Sequence, residues 1–235
     1  MDFRAGEVLL IHKPIKWTSF QVVNKMKYLI KPHPSLILDN KRVDPKIGHA
    51  GTLDPLATGL LIVCTGKQTK NIEQYQAQEK EYTGTFFIGA TTPCYDLEKD
   101  IDAHYPIEHI TNEFIYATSK QFIGKIQQTP PLFSAIKIGG KRAYDIARAG
   151  KTAEIKPKEI TISEFEITRI ALPEVDFRVV CSKGTYIRSL ANDFGMAVNS
   201  GAHLIALCRT RIGSYKLEDS MSIEEFEKML SETNK

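Results

Sequence analysis

Apolar and polar positions along this chain repeat with two different periods, which together predict strands interleaved with helices. The segment EVLLIH at 7–12 predicts a short buried strand. LLIVCT at 60–65 is a continuous apolar run, typical of a central strand buried on both faces. β-branched and aromatic residues predict a strand over 81–90, and alternation predicts another over 175–181. These strands indicate at least one extensive sheet.

Helical periodicity appears between the strands. Thr18 or Ser19 is a good N-cap for a helix that runs to about residue 30. The apolar positions expected near one face of this helix are Phe20, Val23, Met26 and Ile30. A second helix is predicted to begin near Thr185, and a last one fits 222–231. The interleaving predicts a domain of the mixed α/β class.

Charge adds a feature that the hydrophobic pattern does not show. The net charge is only +3, but residues 119–158 carry nine basic and two acidic side chains, which gives +7 there and −4 elsewhere. A positive field of this size suits a polyanion such as nucleic acid, although a solvated lysine-rich surface is the alternative. The Pro-Pro and Gly-Gly pairs of this basic segment predict an excursion from the sheet. A short helix is predicted to follow in RAYDIARAG and to end at Gly150.

Several classes of protein are disfavoured by what the sequence lacks. It contains no apolar run of about 18 residues, and MDFRAGEVLL does not resemble a signal peptide, so we expect a cytoplasmic protein. The dispersed cysteines Cys64, Cys94, Cys181 and Cys208 indicate neither zinc nor disulfides. No phosphate-binding glycine loop, H-E-x-x-H or G-x-S-x-G motif occurs. An enzyme built on this chain is therefore expected to need neither cofactor nor metal.

The stretch GHAGTLDPLATG, residues 48–59, holds the best candidate for chemistry. Asp54 precedes a proline, which restricts its backbone to extended geometry and suits a carboxylate held in one place for catalysis. An Asx-turn is the alternative role for this side chain. His49 suits substrate contact, or it is simply a hydrogen-bonded loop histidine.

Two further residues suit a site with Asp54. Arg188 follows a predicted strand at the start of a helix, where a guanidinium can hold a carboxylate ionised; the alternative is a surface arginine. Tyr82 begins a strand and suits stacking on a base with a role in proton transfer; the alternative is a structural aromatic.

Taken in order, six segments resemble the TruB-type tRNA pseudouridine synthases from about residue 8 to 215. The segments are HKPIKWTSFQVVNKMK, KIGHAGTLDPLATGLLIVCTGKQTK, EKEYTGTFFIGATT, QTPPLFSAIKIGGKRAYDIARAG, VVCSKGTYIRSLANDFG and GAHLIALCRTRIGSY. GHAGTLDPLATG and CSKGTYIRSL are long and specific motifs. The resemblance implies the pseudouridine synthase fold, with a central mixed, largely antiparallel sheet flanked by helices.

The resemblance also implies roles for individual residues. Asp54 matches the catalytic nucleophile, Tyr82 the aromatic that stacks on the target base, and Arg188 the arginine that pairs with the aspartate. His49 matches the histidine that helps to extrude the target nucleotide. Substrate-binding positions, including two in the basic segment, are His49, Thr52, Lys13, Tyr186, Leu207, Lys141 and Arg142. Lys13 with Pro14 matches the motif that supports the aspartate loop.

The implied activity is isomerisation of uridine to pseudouridine at position 55 in the T-arm of tRNA. The basic excursion at about 127–152 corresponds to the family's RNA-clamping insertion. We expect one catalytic domain over 1–235, without a C-terminal PUA domain, acting as a monomer. A non-catalytic tRNA-binding or folding module on the same scaffold is the alternative. A glycosidase-type hydrolase usually needs two carboxylates, and no second acid lies in a comparable motif.

Three residues depart from the family pattern. His12 replaces the usual Asp, Lys16 the usual Gly, and Cys208 a common arginine.

Overall fold

The computed structural model describes residues 1–134, 136–138, 141–142 and 155–233. The chain forms two compact units. The first comprises Met1–Tyr82 with Cys208–Lys235, and the second comprises Thr83–Leu207.

Strands and helices alternate along the chain as the sequence predicts. The strands are β1 Val8–Lys13, β2 Ile37–Leu38, β3 Lys41–Arg42, β4 Ile47–His49, β5 Thr58–Thr65, β6 Lys80–Ile88, β7 Ala90–Thr91, β8 Ala103–His104, β9 Gly124–Gln128, β10 Lys137–Ile138, β11 Lys141–Arg142, β12 Lys158–Ala171, β13 Glu174–Cys181, β14 Ala202–Ile212 and β15 Tyr215–Lys216. The α-helices are α1 Ser19–Ile30, α2 Ile72–Ala77, α3 Asn112–Gln121, α4 Ile187–Ala197 and α5 Ile223–Thr233. Short 3-10 turns cover Pro34–Leu36, Gly66–Asn71 and Leu217–Asp219.

In the first unit, β5 is the central strand. It pairs antiparallel with β1 along most of its length and with β4 at its end, and it pairs parallel with β14 at Thr58 and Gly59. Leu61 and Val63 face a core shared with α1 and α5, whereas Leu60 and Ile62 face a second core. The prediction that this apolar run is a strand buried on both faces is confirmed.

The first helix begins as predicted, but one residue of its expected apolar face is misplaced. Thr18 is the N-cap and forms a capping box with Gln21. Val23, Met26 and Ile30 are buried, whereas Phe20 is 68% exposed, so its assignment to the buried face was wrong. An α-helix has about 3.6 residues per turn. Ser19, not Phe20, therefore lies one turn before the other buried residues and shares their face of the helix.

The second unit has an antiparallel sheet in which β12 lies between β9 and β13, and β6 lies on the far side of β13. One face is covered by packed aromatic rings, with Phe86 and Phe177 stacked at 4.1 Å between centroids and Phe165 and Phe194 against them. Parallel and antiparallel pairs flanked by helices confirm the predicted fold class.

The predicted basic excursion is partly described. β10 and β11 form an antiparallel hairpin after the Pro-Pro pair, with Lys137 opposite Arg142. The helix predicted in RAYDIARAG lies outside the described residues from position 143 onward. Among the described helices, none is long and apolar enough to cross a membrane.

Candidate active site

The loop that carries Asp54 is held against the start of β5. β4 ends at His49, and the next amide, that of Ala50, donates to the Ile62 carbonyl at 2.9 Å. A turn then closes where the Ala57 amide donates to the Asp54 carbonyl at 3.1 Å. The loop therefore joins two paired strands through a hydrogen-bonded turn that contains Asp54.

Ser19 fixes the residue immediately before Asp54. Its hydroxyl accepts from the Leu53 amide at 2.8 Å and donates to the Leu53 carbonyl at 3.2 Å. Ser19 and Leu53 are both buried. Because one hydroxyl satisfies both backbone groups of Leu53, the path of the chain into Asp54 is tied to the first turn of α1.

Lys13 fixes the residue immediately after Asp54. The fully buried Lys13 ammonium donates to the carbonyls of Trp17 at 2.6 Å, Pro14 at 3.0 Å and Pro55 at 3.4 Å. Burial lowers the pKa of Lys13 to about 8, while the Asp54 carboxylate acts in the opposite direction. The loop is thus supported by a cation that interacts electrostatically with Asp54.

A second buried cation, Arg209, supports the glycines of this loop. Its Nε donates to the Leu60 carbonyl at 2.8 Å and its Nη2 to the Gly51 carbonyl at 3.1 Å. Gly59 has a φ of +109°, and a Cβ there would lie 2.4 Å from the Arg209 carbonyl oxygen. Only glycine allows the loop to pass this close to β14. Sequence reasoning assigned no role to Arg209, although it lies within a family motif.

His49 and Thr52 lie on the same loop and differ in exposure. His49 is partly buried, and its Nδ1 is buried without a hydrogen-bond partner among the described residues. Burial lowers the pKa of His49, the Gly51 backbone raises it in part, and the Arg209 charge lowers it. Thr52 is exposed. The lowered pKa of His49 favours an uncharged imidazole near neutral pH.

Tyr82 is buried on β6, with 8% of its surface exposed. Two residues later on the strand, Gly84 lets the Ala206 carbonyl approach within 2.4 Å of where a Cβ would stand. Leu207 follows Ala206 on β14 and is partly buried. The structure thus places Tyr82 on β6 and Leu207 on β14.

Arg188 is buried in the second unit, so the alternative of a surface arginine is excluded. Its Nη2 donates to the Phe133 carbonyl at 2.9 Å and its Nη1 to the Cys94 carbonyl at 3.3 Å. Its Nε lies 3.5 Å from Oδ2 of Asp96, a carboxylate that is also buried. The predicted ion pair of Arg188 with Asp54 stays a prediction.

Asp96 is a residue that sequence reasoning missed. It was placed in an acidic loop, but its backbone is held in a compact turn, with its carbonyl accepting from Thr92 Oγ1 at 2.7 Å. Tyr95, the residue before it, has a left-handed φ of 64°. In the sequence, Asp96 differs from its acidic neighbours because it directly follows Cys94 and Tyr95. In the structure Asp96 is buried, whereas Glu98 is exposed.

The remaining predicted residues fall in two groups. Tyr186 is partly buried and occupies the N-cap position of α4, two residues before Arg188. Lys141 and Arg142 lie on β11, and their side chains lie outside the described part of the structure. In the described ranges, no group of three or more His, Cys, Asp or Glu residues is arranged to hold a metal ion.

Comparisons with protein families and curated proteins cover nearly the whole chain. A model described as "TruB family pseudouridylate synthase (N terminal domain)" matches residues 37–187, and one described as "tRNA pseudouridylate synthase B C-terminal domain" matches residues 188–235. A relative from Flavobacterium johnsoniae named tRNA pseudouridine synthase B is 61% identical, covering 97% of this chain and 98% of the relative. A relative of the same name from Phocaeicola vulgatus is 56% identical, covering 99% and 96%.

Solved structures show the same fold. A chain of a Cbf5-Nop10-Gar1 complex superposes with a TM-score of 0.71 at 28% identity, covering 97% of this chain and 55% of that chain. A chain of an archaeal box H/ACA sRNP Nop10-Cbf5 complex gives 0.67 at 25% identity, covering 100% and 57%. The present chain therefore spans just over half the length of these solved chains.

Proposed function

The chain belongs to the TruB family of pseudouridylate synthases, and we propose that it isomerises the uridine at position 55 in the T-arm of tRNA with Asp54 as nucleophile. Relatives that match it over nearly their full length are named tRNA pseudouridine synthase B. One structural observation carries the assignment of Asp54: the residues on both sides of it are pinned by the buried side chains of Ser19 and Lys13.

The reaction itself accounts for a site made of side chains. Forming pseudouridine breaks the bond between the ribose and a base nitrogen, rotates the base, and rejoins the ribose to carbon 5. Atoms are conserved and no electron acceptor is needed. Asp54 either adds to carbon 6 of the base or attacks the anomeric carbon of the ribose. Both routes require an ionised carboxylate.

Two cations suit that requirement. Lys13 interacts electrostatically with Asp54 within the first unit. We assign to Arg188 the role that its motif implies; its guanidinium is held by the Phe133 and Cys94 carbonyls and by Asp96. A positioned positive charge favours the ionised form of a carboxylate and restricts its orientation.

The target base has to leave its stack before Asp54 can reach it, so the site needs residues that hold a flipped nucleotide. We assign base stacking and proton transfer to Tyr82, and displacement of the nucleotide to His49. A neutral imidazole suits insertion beside a base, because it is less costly to desolvate than an imidazolium. Thr52, Tyr186 and Leu207 are assigned to the substrate pocket.

RNA affinity is assigned to the basic insertion at about 127–152, including Lys141 and Arg142. Contacts of lysine and arginine with phosphates release counterions, so binding is expected to weaken as salt rises. We further propose that the chain forms a single catalytic domain that works as a monomer in the cytoplasm.

The test measures tritium release from tRNA labelled at carbon 5 of uridine. The Asp54→Asn variant is expected to release none while it still binds tRNA in a filter assay, because the neutral amide is not a nucleophile. The matched control is Asp44→Asn, which removes an exposed carboxylate paired with Lys27 at 2.6 Å and should leave release intact. Normal turnover by Asp54→Asn would contradict the proposed mechanism.

The same assay separates the remaining alternatives. Replacing uridine 55 of the tRNA by cytidine is expected to abolish release by the wild type; persistent release would assign the activity to another uridine. Wild-type protein that binds tRNA without any release would favour the non-catalytic tRNA-binding or folding module.

A further inference from the structure

A segment at the end of β9 is bound directly to the start of α4, the helix that carries Arg188. Gln128 is the last residue of β9 and is 1% exposed. Its side-chain oxygen accepts from the Tyr186 amide at 2.8 Å, and its side-chain nitrogen donates to the Tyr186 carbonyl at 3.1 Å. One amide side chain therefore satisfies both backbone groups of Tyr186.

The orientation of the Gln128 amide is determined by this pairing. Only the NH2 group can donate to the Tyr186 carbonyl, and only the oxygen can accept from the Tyr186 amide. The same carbonyl also accepts the first hydrogen bond of the helix, from the Leu190 amide at 3.0 Å. Gln128 thus holds the backbone of the residue from which α4 begins.

Tyr186 is an unusual residue to hold this position. Helices are commonly capped by Ser, Thr, Asp or Asn, whose short side chains accept from amides of the first turn. A tyrosine ring has no such short acceptor, and the family motif places Tyr186 in the substrate pocket. Instead, Gln128, on a distant part of the chain, restrains this residue through its backbone amide and carbonyl.

The residues after Gln128 extend this attachment. The Ser189 hydroxyl donates to the Thr129 carbonyl at 2.7 Å, and Arg188 Nη2 donates to the Phe133 carbonyl at 2.9 Å. Tyr186, Arg188 and Ser189 are therefore all bonded to the segment 128–133. Of these bonds, only those of Gln128 restrain the backbone at the N-terminus of the helix.

We propose that Gln128 is a positioning residue for catalysis, which acts through Tyr186 to place the Arg188 guanidinium and the substrate pocket. The inference rests on the proposed function, since it assigns both of those residues to the reaction. Gln128 lies at the border of the basic insertion, but its side chain is buried and both of its amide atoms bond to Tyr186, so it is not assigned a contact with RNA. Its loss is therefore expected to lower the rate of the chemical step more than the affinity for tRNA.

The first variant is Gln128→Met, which keeps the length and approximate volume of the side chain and removes both hydrogen bonds. A misplacement of catalytic groups by about 1 Å costs about 100-fold in rate, so kcat is expected to fall roughly 10- to 100-fold. KM and the Kd for tRNA are expected to stay within about twofold, because RNA affinity is assigned to the basic side chains of the insertion and not to the pocket. The readouts are single-turnover tritium release and filter binding, at a temperature where circular dichroism shows folded protein.

The chain offers a matched control outside the segments assigned to catalysis and RNA binding. Gln74 is also a glutamine but is exposed on α2, so Gln74→Met should change neither kcat nor KM. If Gln128→Met does not fold, Gln128→Asn is the second variant. It stays polar but is too short to reach both backbone groups of Tyr186, and the same loss of kcat is expected.

The outcomes are distinguishable. A selective loss of kcat at position 128, with none at position 74, supports the inference. Wild-type kcat in a folded Gln128→Met protein overturns it, as does a loss confined to KM. Wild-type protein that releases no tritium would instead overturn the proposed function, on which the inference rests.

Discussion

Burial of the Lys13 ammonium beside the catalytic loop makes the stability of this protein depend on pH in a defined window. The folded protein lowers the pKa of Lys13 from 10.5 to about 8, mainly through burial. Between about pH 8 and 10.5, Lys13 is therefore neutral in the folded state and protonated in the unfolded chain. Unfolding takes up a proton in this window, so the free energy of unfolding rises with pH.

The size of the effect follows from the difference between the two pKa values. At about 1.4 kcal/mol for each pH unit, a lowering from 10.5 to about 8 corresponds to about 3 kcal/mol. Lys13→Met removes the titrating group. The unfolding free energy of the wild type minus that of Lys13→Met is expected to increase by about 3 kcal/mol between about pH 8 and 10.5. Other titrating groups are common to both proteins and largely cancel in the difference.

The measurement is equilibrium unfolding by urea for both proteins across that range of pH. Lys67→Met is the control, because Lys67 is exposed and its replacement removes a lysine without removing a buried ammonium. Its difference from the wild type should stay constant with pH. A difference between wild type and Lys13→Met that is equally flat, or that falls with pH, would refute the assignment of a buried, easily deprotonated Lys13.

Two further substitutions test the contacts around the site. Gly59→Ala should lower the free energy of unfolding by about 2 kcal/mol more than Gly124→Ala, because both residues have a positive φ but only a Cβ at 59 would meet backbone, that of Arg209; equal losses by urea unfolding would contradict this. Asp96→Asn should cost about 3 kcal/mol and reduce tritium release, because it leaves the buried Arg188 cation without that carboxylate; unchanged stability and release would show that the pair is dispensable.

Local patterns predicted the elements well where a single physical requirement dominates. The continuous apolar run at 60–65 belongs to a buried strand, and Thr18 caps α1. Prediction was poorer where packing chooses between equivalent residues, as with the exposed Phe20. The long strand β12 was not anticipated, because its exposed polar positions weaken the apolar signal. Periodicity reports which faces are buried only when one face is clearly apolar.

The family departure at Lys16 shows how structure explains a single residue. Glycine is usual there, and Lys16 has a left-handed φ of 67°, a conformation that glycine adopts at little cost. Its amide donates to the Pro55 carbonyl at 2.8 Å, so the bend supports the aspartate loop. The sequence identified the departure, and the backbone conformation gives its physical meaning.

The sequence by itself determined the fold class, the family and the identity of the candidate catalytic residues, because motifs such as GHAGTLDPLATG and CSKGTYIRSL are contiguous. Only the tertiary structure showed what holds those residues. Ser19 and Lys13 pin the loop around Asp54, and Asp96 and Gln128 hold Arg188 and its helix. Such partners are dozens of residues away in the chain, and their bonds form only when folding buries polar groups that must then be satisfied.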